Sequence, residues 1–129
     1  MDAFDISASG LSAQRGRLDV VAANIANVET TRTPGGGPYR RLQPMFASRG
    51  GNPGGVDMIG VVADPREPRH VYQPGHPDRD EDGFVAYPNV NIVEEMVDLV
   101  SAKRSYEANA AAFNAAKSMA QRALELGRA

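Results

Sequence analysis

The side chains that could perform metal or acid–base chemistry in this chain lie close together in sequence. His70 and His76 are the only histidines, and several acids follow them within residues 78–82. Imidazole and carboxylate groups are ligands that zinc accepts in proteins. The two histidines, however, are separated by six positions across a Pro-Gly pair, a spacing that does not place both on one face of a regular element. The pattern favours a solvated loop over a metal centre.

The acidic segment also resembles the first half of a calcium-binding loop. Asp78, Asp80 and Asp82 alternate along the chain and Gly83 follows them, as in the D-x-D-x-D-G opening of an EF-hand loop. The twelfth position is Asn89 instead of the bidentate glutamate, and the prolines before the segment exclude a regular entering helix. A weak calcium site remains an alternative, but the residues favour a charged turn that an Asp-Gly pair closes.

Nucleophilic and phosphate-binding sites are not indicated either. The serines of the C-terminal third lie far in sequence from both histidines, and the glycines at 35–37 lack the lysine and the strand–helix context of a P-loop. The absence of cysteine excludes a thiolate metal site, a cysteine nucleophile and a disulfide. We therefore predict no enzyme activity, no catalytic residue, no cofactor and no bound metal.

Charge and hydropathy exclude two further classes of function. The chain carries 14 basic and 16 acidic residues, a net charge of −2, so it has no basic field for nucleic acid. The first residues lack the basic and apolar regions of a cleavable signal peptide. No segment approaches the ~20 consecutive apolar residues of a membrane span. We expect no nucleic-acid partner, no membrane insertion and no cleaved signal.

A long C-terminal helix dominates the elements that must position these residues. No proline or glycine occurs between Asn91 and Leu126, and the segment is rich in alanine, the best helix former. Asn91 followed by Glu94 resembles a capping box, and Gly127 is the expected stop. At 1.5 Å per residue this helix would be roughly 50 Å long. Since that exceeds a compact domain of this size, we expect it to need a partner along its length.

Both ends of the chain carry apolar residues at a seven-residue period, which is typical of a coiled-coil seam. In the C-terminal helix this row is Ile92, Leu99, Tyr106 and Phe113. In a second predicted helix, from Asp2 to Val28, it is Phe4, Leu11, Leu18 and Ile25. Gly10 and Gly16 each cost about 1 kcal/mol relative to alanine in a helix. The N-terminal helix should therefore be the weaker of the two.

The middle of the chain has a different composition, with all nine prolines and most of the glycines. Short strand candidates lie between its loops, at Tyr39–Phe46, Val56–Ala63, Arg69–Gln73 and Phe84–Tyr87. We predict a mainly α, α+β fold in which the terminal helices form a coiled-coil-like hairpin around a small loop-rich β module. The predicted regions are an N-terminal core helix at 1–29, the Gly/Pro-rich β module at 30–90, and the C-terminal core helix at 91–129.

Several motifs together resemble a known family, and they cover most of the chain. Its N-terminal signature is similar to Ser9–Gln14 and Asn24–Thr31, which contain Asn24 and Asn27. Further similar stretches are Gly36–Arg41 with Tyr39 and Arg40, Tyr72–Asp78, Asp82–Asn91, Val93–Leu99, Arg104–Asn109 and Ala112–Met119. These motifs resemble the bacterial flagellar axial proteins (rod, hook and hook-associated), and within that family the proximal-rod type. Another axial subunit or a free-standing helical-hairpin adaptor is the alternative.

The resemblance implies a structural subunit of the flagellar basal body, in the part of the rod that crosses the periplasm. Such a subunit polymerises through its terminal helices into a drive shaft that transmits motor torque to the hook and filament. The implied partners are copies of itself, other rod proteins, the export-gate and MS-ring adaptor at the rod base, and the flagellar type III export apparatus. Export through that apparatus involves no cleaved signal peptide.

The resemblance also suggests roles for particular residues. The two apolar rows should pack within the subunit or against neighbouring subunits. Asn24 and Asn27 should hydrogen-bond loop or neighbour backbone, with simple helix capping by Asn27 as the alternative. The middle module should face outward and make lateral contacts through Arg40, Arg41 and the turn that contains Asp78, Asp80 and Asp82.

Overall fold

The computed structural model describes residues 2–51 and 54–128, in which a long helix precedes four short strands and another long helix follows them along the chain. In chain order the elements are α1 (Asp2–Ala26), β1 (Leu42–Ser48), β2 (Val56–Ala63), β3 (Arg69–Tyr72), β4 (Phe84–Tyr87) and α2 (Ile92–Arg128). This confirms the mainly α, α+β fold. Neither helix carries a stretch that is both long and apolar enough to span a bilayer within the described residues.

The start of α2 is capped as its sequence predicts. The side-chain oxygen of Asn91 accepts hydrogen bonds from the N–H groups of Val93 (3.0 Å) and Glu94 (3.3 Å). The carboxylate of Glu94 does not complete a capping box, because it pairs with Arg66. At the other end the expected stop at Gly127 is wrong. Gly127 lacks the positive φ of a helix-ending glycine, and α2 continues to Arg128.

α1 ends at Ala26, two residues before the expected end at Val28. The side-chain amide of Asn27 donates to the carbonyl of Ala23 (2.8 Å) and thereby satisfies a carbonyl of the last helical turn. The loop that follows turns at Gly36 and Gly37, whose φ angles of 83° and 75° favour glycine.

The strands form two separate two-stranded sheets, β1–β2 and β3–β4. β3 and β4 are antiparallel, and Val71 lies opposite Val85. All four predicted strands are present, but β1 begins at Leu42 instead of Tyr39. The backbone N–H groups before Leu42 bond elsewhere, since Tyr39 donates to the carbonyl of Thr30 and Arg41 to the side chain of Asn89.

The chain divides into two compact units that do not follow sequence order. The first comprises Met1–Leu18, Pro44–Gly60 and Val100–Ala129, and the second comprises Asp19–Gln43 and Val61–Leu99. Each unit thus combines residues of both helices and of the middle segment. The predicted regions 1–29, 30–90 and 91–129 instead divide the chain by composition, in sequence order.

The buried hydrophobic side chains of the described residues are small. They are Ala13 and Ala102 in the first unit, and Val20, Val21, Val85 and Val90 in the second. Many larger apolar side chains are exposed instead, particularly along α2. Because apolar burial is the main favourable term in folding, this small core supplies limited stability to a single chain.

Candidate functional site

The helices of the first unit meet through aromatic rings and a close backbone approach. The rings of Phe4 and Phe113 lie edge to face with centroids 5.3 Å apart, a contact worth about 0.5–1.5 kcal/mol beyond its buried area. Nearby, a Cβ atom on Gly10 would lie only 2.8 Å from the side-chain oxygen of Asn109. Because a later residue of α1 meets an earlier residue of α2, the two helices are antiparallel within this unit. The missing side chain of Gly10 permits their close contact.

The hairpin of β1 and β2 is attached to α1 at Ser9 and Gly16. The Ser9 hydroxyl, which donates to the carbonyl of Ile6, accepts a hydrogen bond from the N–H of Val56 (3.1 Å). A Cβ atom on Gly16 would lie 2.6 Å from the sulfur of Met58, so this glycine provides space for the strand side chain. These contacts fasten the hairpin to the first helix.

The predicted apolar rows lie beside the most buried line of each helix. Phe4 and Phe113 contact each other, Leu11, Leu18, Ile25 and Leu99 are half-buried, and Ile92 and Tyr106 are 36% and 37% exposed. On α2 the inward line is instead Glu95, Ala102 and Asn109, which also recur every seven residues. The predicted rows are therefore not the most buried lines of the helices, and their packing between subunits stays a prediction.

In the second unit, the side chain of Asn24 is the centre of a buried hydrogen-bond network. It is 1% exposed, donates to the carbonyl of Leu42 (2.8 Å) and accepts from the Leu42 N–H (2.9 Å). It also accepts from the Tyr39 hydroxyl (2.7 Å) and donates to Glu95 (3.3 Å). Asn24 thus bonds the backbone at the first residue of β1, Leu42, instead of the loop or neighbouring-subunit backbone that the sequence analysis expected.

Arg41 lies beside this network, and its expected outward orientation is wrong. The residue is 8% exposed, and its guanidinium pairs with three carboxylates, those of Asp64 (3.1 Å), Asp98 (3.0 Å) and Glu95. Glu95 is fully buried and Asp64 is 2% exposed. Buried carboxylates need a cation to offset their desolvation, which explains why Arg41 faces inward. The neighbouring Arg40 is exposed.

The charges of this cluster stabilise one another. Burial alone would lower the pKa of Arg41, but its hydrogen bonds to Glu95 and Asp64 outweigh burial and raise it. Burial would likewise raise the pKa of Asp64, yet the backbone and guanidinium of Arg66, followed by Arg41, hold that pKa below its ordinary value. Among the described residues no buried side-chain polar atom lacks a hydrogen-bond partner. The network is therefore fully satisfied, which favours one rigid arrangement.

Tyr39 is a neutral member of the same network. Burial, followed by the negative charge of Glu95, raises the pKa of its hydroxyl above the ordinary value of 10.0. The phenol therefore remains protonated at neutral pH and donates to Asn24.

The acidic turn uses two of its carboxylates to bond the protein itself. Asp78 accepts from the Thr31 hydroxyl (2.7 Å) and from the guanidinium of Arg32, and these two bonds lower the pKa of its carboxyl. One oxygen of Asp80 accepts from the N–H groups of Asp82 and Phe84, both at 2.9 Å. Across the described ranges no group of three or more His, Asp or Glu side chains could hold a metal ion.

The sequence analysis missed the acidic members of the buried network, Glu95, Asp64 and Asp98. Glu95 and Asp98 lie in the first turns of α2, where acids are common for reasons unrelated to burial. One signal was available for Glu95, because it lies seven residues before Ala102 and fourteen before Asn109. For Asp64 and Asp98 no local pattern indicates burial.

Comparison with known proteins gives matches over nearly the whole chain. Residues 4–32 match the family model described as flagella basal body rod protein, and residues 81–126 match that described as flagellar basal body rod FlgEFG protein C-terminal. The chain is 44% identical to the flagellar basal-body rod protein FlgC of Yersinia enterocolitica, with 98% of this chain and 97% of that protein covered.

Two further relatives have the same name. FlgC of Borreliella burgdorferi is 43% identical, with 95% of this chain and 94% of that protein covered. FlgC of Bacillus subtilis is 42% identical, and the coverage is 97% and 96%. The similarity therefore includes the middle segment as well as both helices.

Proposed function

Since this chain belongs to the FlgC family of flagellar basal-body rod proteins, we propose that it is a non-enzymatic, structural subunit of the proximal rod. The observation that carries this function is the similarity to rod proteins over nearly the full length of both chains. The subunit is located in the flagellar basal body and assembles there with other rod and basal-body proteins.

The subunit polymerises through its terminal helices into the shaft that transmits torque from the motor to the hook and filament. Two features support this mechanism. The helices are 25 and 37 residues long, yet the buried hydrophobic side chains of the described residues are only alanines and valines. Several large apolar side chains of α2 are exposed, and such surfaces mark protein–protein contacts when they are contiguous.

The buried polar network gives the subunit a second property that a shaft needs. A fully satisfied network of buried hydrogen bonds and ion pairs rigidifies the unit that contains it. Asn24, Arg41 and Glu95 join the end of α1, the segment before β1 and the start of α2. Torque passing through this unit therefore deforms it little.

We also propose the specific partners that the resemblance to this family implies. They are copies of the chain itself, an export-gate and MS-ring adaptor at the rod base, and the flagellar type III export apparatus that delivers the chain without a cleaved signal. Lateral contacts on the outside of the shaft involve the exposed side chains of Arg40, Asp80 and Asp82.

The proposed function can be tested in a strain that lacks the gene, complemented with wild type or a variant. We expect wild type to restore swimming and to be present in isolated basal bodies. Phe113→Asp and Leu11→Asp should abolish both, because they place a charge on the apolar rows. Asp80→Ala should assemble normally, because a single solvent-exposed carboxylate contributes little to a lateral contact.

A matched control is Asn114→Asp, which places the same charge on an exposed position next to Phe113. It should swim like wild type. The helical circular dichroism of each purified variant separates failure to fold from failure to assemble. Normal swimming with Phe113→Asp, or wild-type chain that is missing from basal bodies, would contradict the proposed function.

A further inference from the structure

An open pocket lies in the second compact unit, at the segment that precedes β1. Its volume is about 430 Å³, and its mostly apolar walls include Pro38, Tyr39, Leu42 and Pro68. Arg40 is the only charged residue of this lining. We call this feature the Arg40 pocket. Apolar walls with a single cation fit a ligand that brings both an apolar and a negative group.

The side chain of Arg40 has most of its hydrogen-bond donors available. Within the described residues no carboxylate pairs with its guanidinium, and the side chain makes one long hydrogen bond, from Nη1 to the backbone carbonyl of Asp64 (3.4 Å). Glu67, which precedes Pro68, lines a different cavity together with two arginines. A guanidinium in this state can bind a carboxylate through two parallel hydrogen bonds.

An exposed acidic turn connects β3 to β4 in the same unit. Asp80, Glu81 and Asp82 are all exposed, and Arg79 offsets one of their three negative charges, which leaves two. One oxygen of Asp80 accepts backbone N–H groups. No hydrogen bond or ion pair of the described ranges involves the carboxylate of Glu81 or Asp82. These two carboxylates can therefore bind an arginine of another molecule without breaking a bond in their own chain.

Two aromatic rings lie beside this turn. Tyr72 and Phe84 are opposite each other in the β3–β4 sheet, and their rings meet edge to face with centroids 5.3 Å apart. Val85 is fully buried on the other face of this sheet, so the two rings point outward, and they are 62% and 40% exposed. We call residues 81–82 together with these two rings the acidic–aromatic turn.

Charge and apolar surface together select between the ways in which two copies could meet. Two Arg40 pockets would bring guanidinium groups together, and two acidic–aromatic turns would bring carboxylates together. Like charges disfavour association, and opposite charges favour it. A turn against a pocket joins carboxylates to an arginine and aromatic rings to apolar walls, and aromatic residues and arginine are enriched in protein–protein interfaces.

We propose that the Arg40 pocket of one copy receives the acidic–aromatic turn of a second copy. Both surfaces belong to the unit formed by Asp19–Gln43 and Val61–Leu99. The contact is therefore distinct from the packing of the apolar rows on the terminal helices. The proposal rests on the proposed function and adds to it the two surfaces, and the residues, of one lateral contact between subunits.

Cross-linking between two single-cysteine variants tests this contact, because the natural chain contains no cysteine. R40C and E81C are expressed together in a strain that lacks the gene, basal bodies are isolated, and a short bismaleimide is added. We expect a covalent dimer on a denaturing gel. Since the two cysteines lie on different chains, this dimer forms only between copies. Both positions are exposed, so folding should be preserved.

The matched controls are each variant alone, and R40C together with E125C, which replaces an exposed acid of the other unit. All of them should remain monomeric. If R40C and E81C are both present in basal bodies and give no dimer, or if a control dimerises as strongly as the pair, the contact is overturned while the rod function stands. Wild-type chain that is absent from basal bodies would overturn the rod function and, with it, this contact.

Charge reversal separates a second copy from other occupants of the pocket. Arg40→Glu and Glu81→Arg should each reduce swimming and the amount of chain in basal bodies, because like charges then face each other. The double variant R40E/E81R pairs the reversed charges in every copy and should recover both readouts. Normal assembly of Arg40→Glu would overturn the contact. A defect that Glu81→Arg does not repair would also overturn it, since a different protein or a small carboxylic acid would then occupy the pocket.

Discussion

At the scale of single residues, the side chain of Asn24 makes the two backbone hydrogen bonds that an adjacent β-strand would make to Leu42. Its amide offers one donor and one acceptor to the backbone of Leu42, as an adjacent strand would. Because the residue is 1% exposed, water cannot replace these bonds when the side chain is removed. The stability of this unit should therefore depend strongly on one uncharged side chain.

Replacing Asn24 by alanine should lower the free energy of unfolding by about 2–4 kcal/mol, because the N–H and carbonyl of Leu42 are left without partners. The matched control is Asn27→Ala, which removes an amide that is half-buried and bonds only the end of α1 and Thr30. It should cost about 1 kcal/mol or less. Urea unfolding followed by helical circular dichroism measures both values, and equal losses would contradict the role assigned to Asn24.

Adjacent arginines provide a second comparison. Arg41→Ala should lower the free energy of unfolding by about 3–5 kcal/mol, since it leaves the buried carboxylates of Glu95 and Asp64 without their cation. Arg40→Ala removes the same charge from an exposed position and should cost under about 1 kcal/mol. The same urea experiment measures the difference. A similar loss for both variants would show that Arg41 is not held in the buried network.

The pKa of Asp64 predicts how stability depends on pH. Its folded pKa lies below the ordinary value of 3.8, so the unfolded chain binds the proton more readily. The stabilisation from Asp64 is therefore complete above that value and is lost as the pH falls through the lower folded pKa. Asp64→Asn should be less stable than wild type near neutral pH, and the difference should shrink as the pH falls from about 5 to about 3.

Urea midpoints across that pH range test the expectation, with Asp57→Asn as the control. Arg49 lowers the pKa of Asp57 as well, but this carboxylate is exposed and solvent screens its ion pair, so the control should change little. If the urea midpoints of wild type and Asp64→Asn differ by the same amount at every pH, Asp64 is not the source of the acid sensitivity.

At the scale of elements, the glycines of α1 reduce helix propensity and permit close packing. From sequence alone, Gly10→Ala should stabilise α1 by about 1 kcal/mol. In the folded protein the new Cβ would lie 2.8 Å from the side-chain oxygen of Asn109, so that amide must move. We therefore expect Gly10→Ala to gain less than the propensity difference, and Gly10→Leu to destabilise the protein.

Ala22→Gly supplies the reference, because Ala22 is an exposed position of the same helix. Its cost in thermal unfolding measures the propensity difference in this helix directly. If Gly10→Ala stabilises the protein by as much as Ala22→Gly destabilises it, the close approach of α1 to α2 does not restrict the side chain at position 10.

At the scale of the whole molecule, stability and assembly are linked because the chain buries little apolar surface by itself. The inward line of α2 is polar or small (Glu95, Ala102, Asn109), while several of its large side chains face solvent. Contacts between subunits would cover this surface and add the apolar burial that a single chain lacks.

Amide hydrogen exchange should show this difference along α2. In the purified monomer, residues 121–128 should exchange rapidly, because no other element covers them, and residues 95–102 should be protected by the packing of Glu95 and Ala102. In assembled rods both segments should be protected. Slow exchange of residues 121–128 in the monomer, or rapid exchange in the rod, would contradict the role of these turns in assembly.

Taken by itself, the sequence determined the elements and the family. Both helices, all four strands and the Asn91 cap follow from local properties, namely helix propensity, the seven-residue period and the positions of glycine and proline. These signals depend on neighbours a few residues away. Errors are confined to element ends, as at Gly127 and Tyr39, where capping or hydrogen bonds to distant residues decide the boundary.

Only the tertiary structure decided which side chains face inward. Arg40 and Arg41 are adjacent and chemically identical, yet one is exposed and the other is buried. The partners that bury Arg41 lie 23, 54 and 57 positions further along the chain, at Asp64, Glu95 and Asp98. Carboxylates at such separations produce no pattern in the sequence around Arg41 that would indicate its burial. Its effect arises when folding removes the carboxylates from water, because a buried charge then requires a cation.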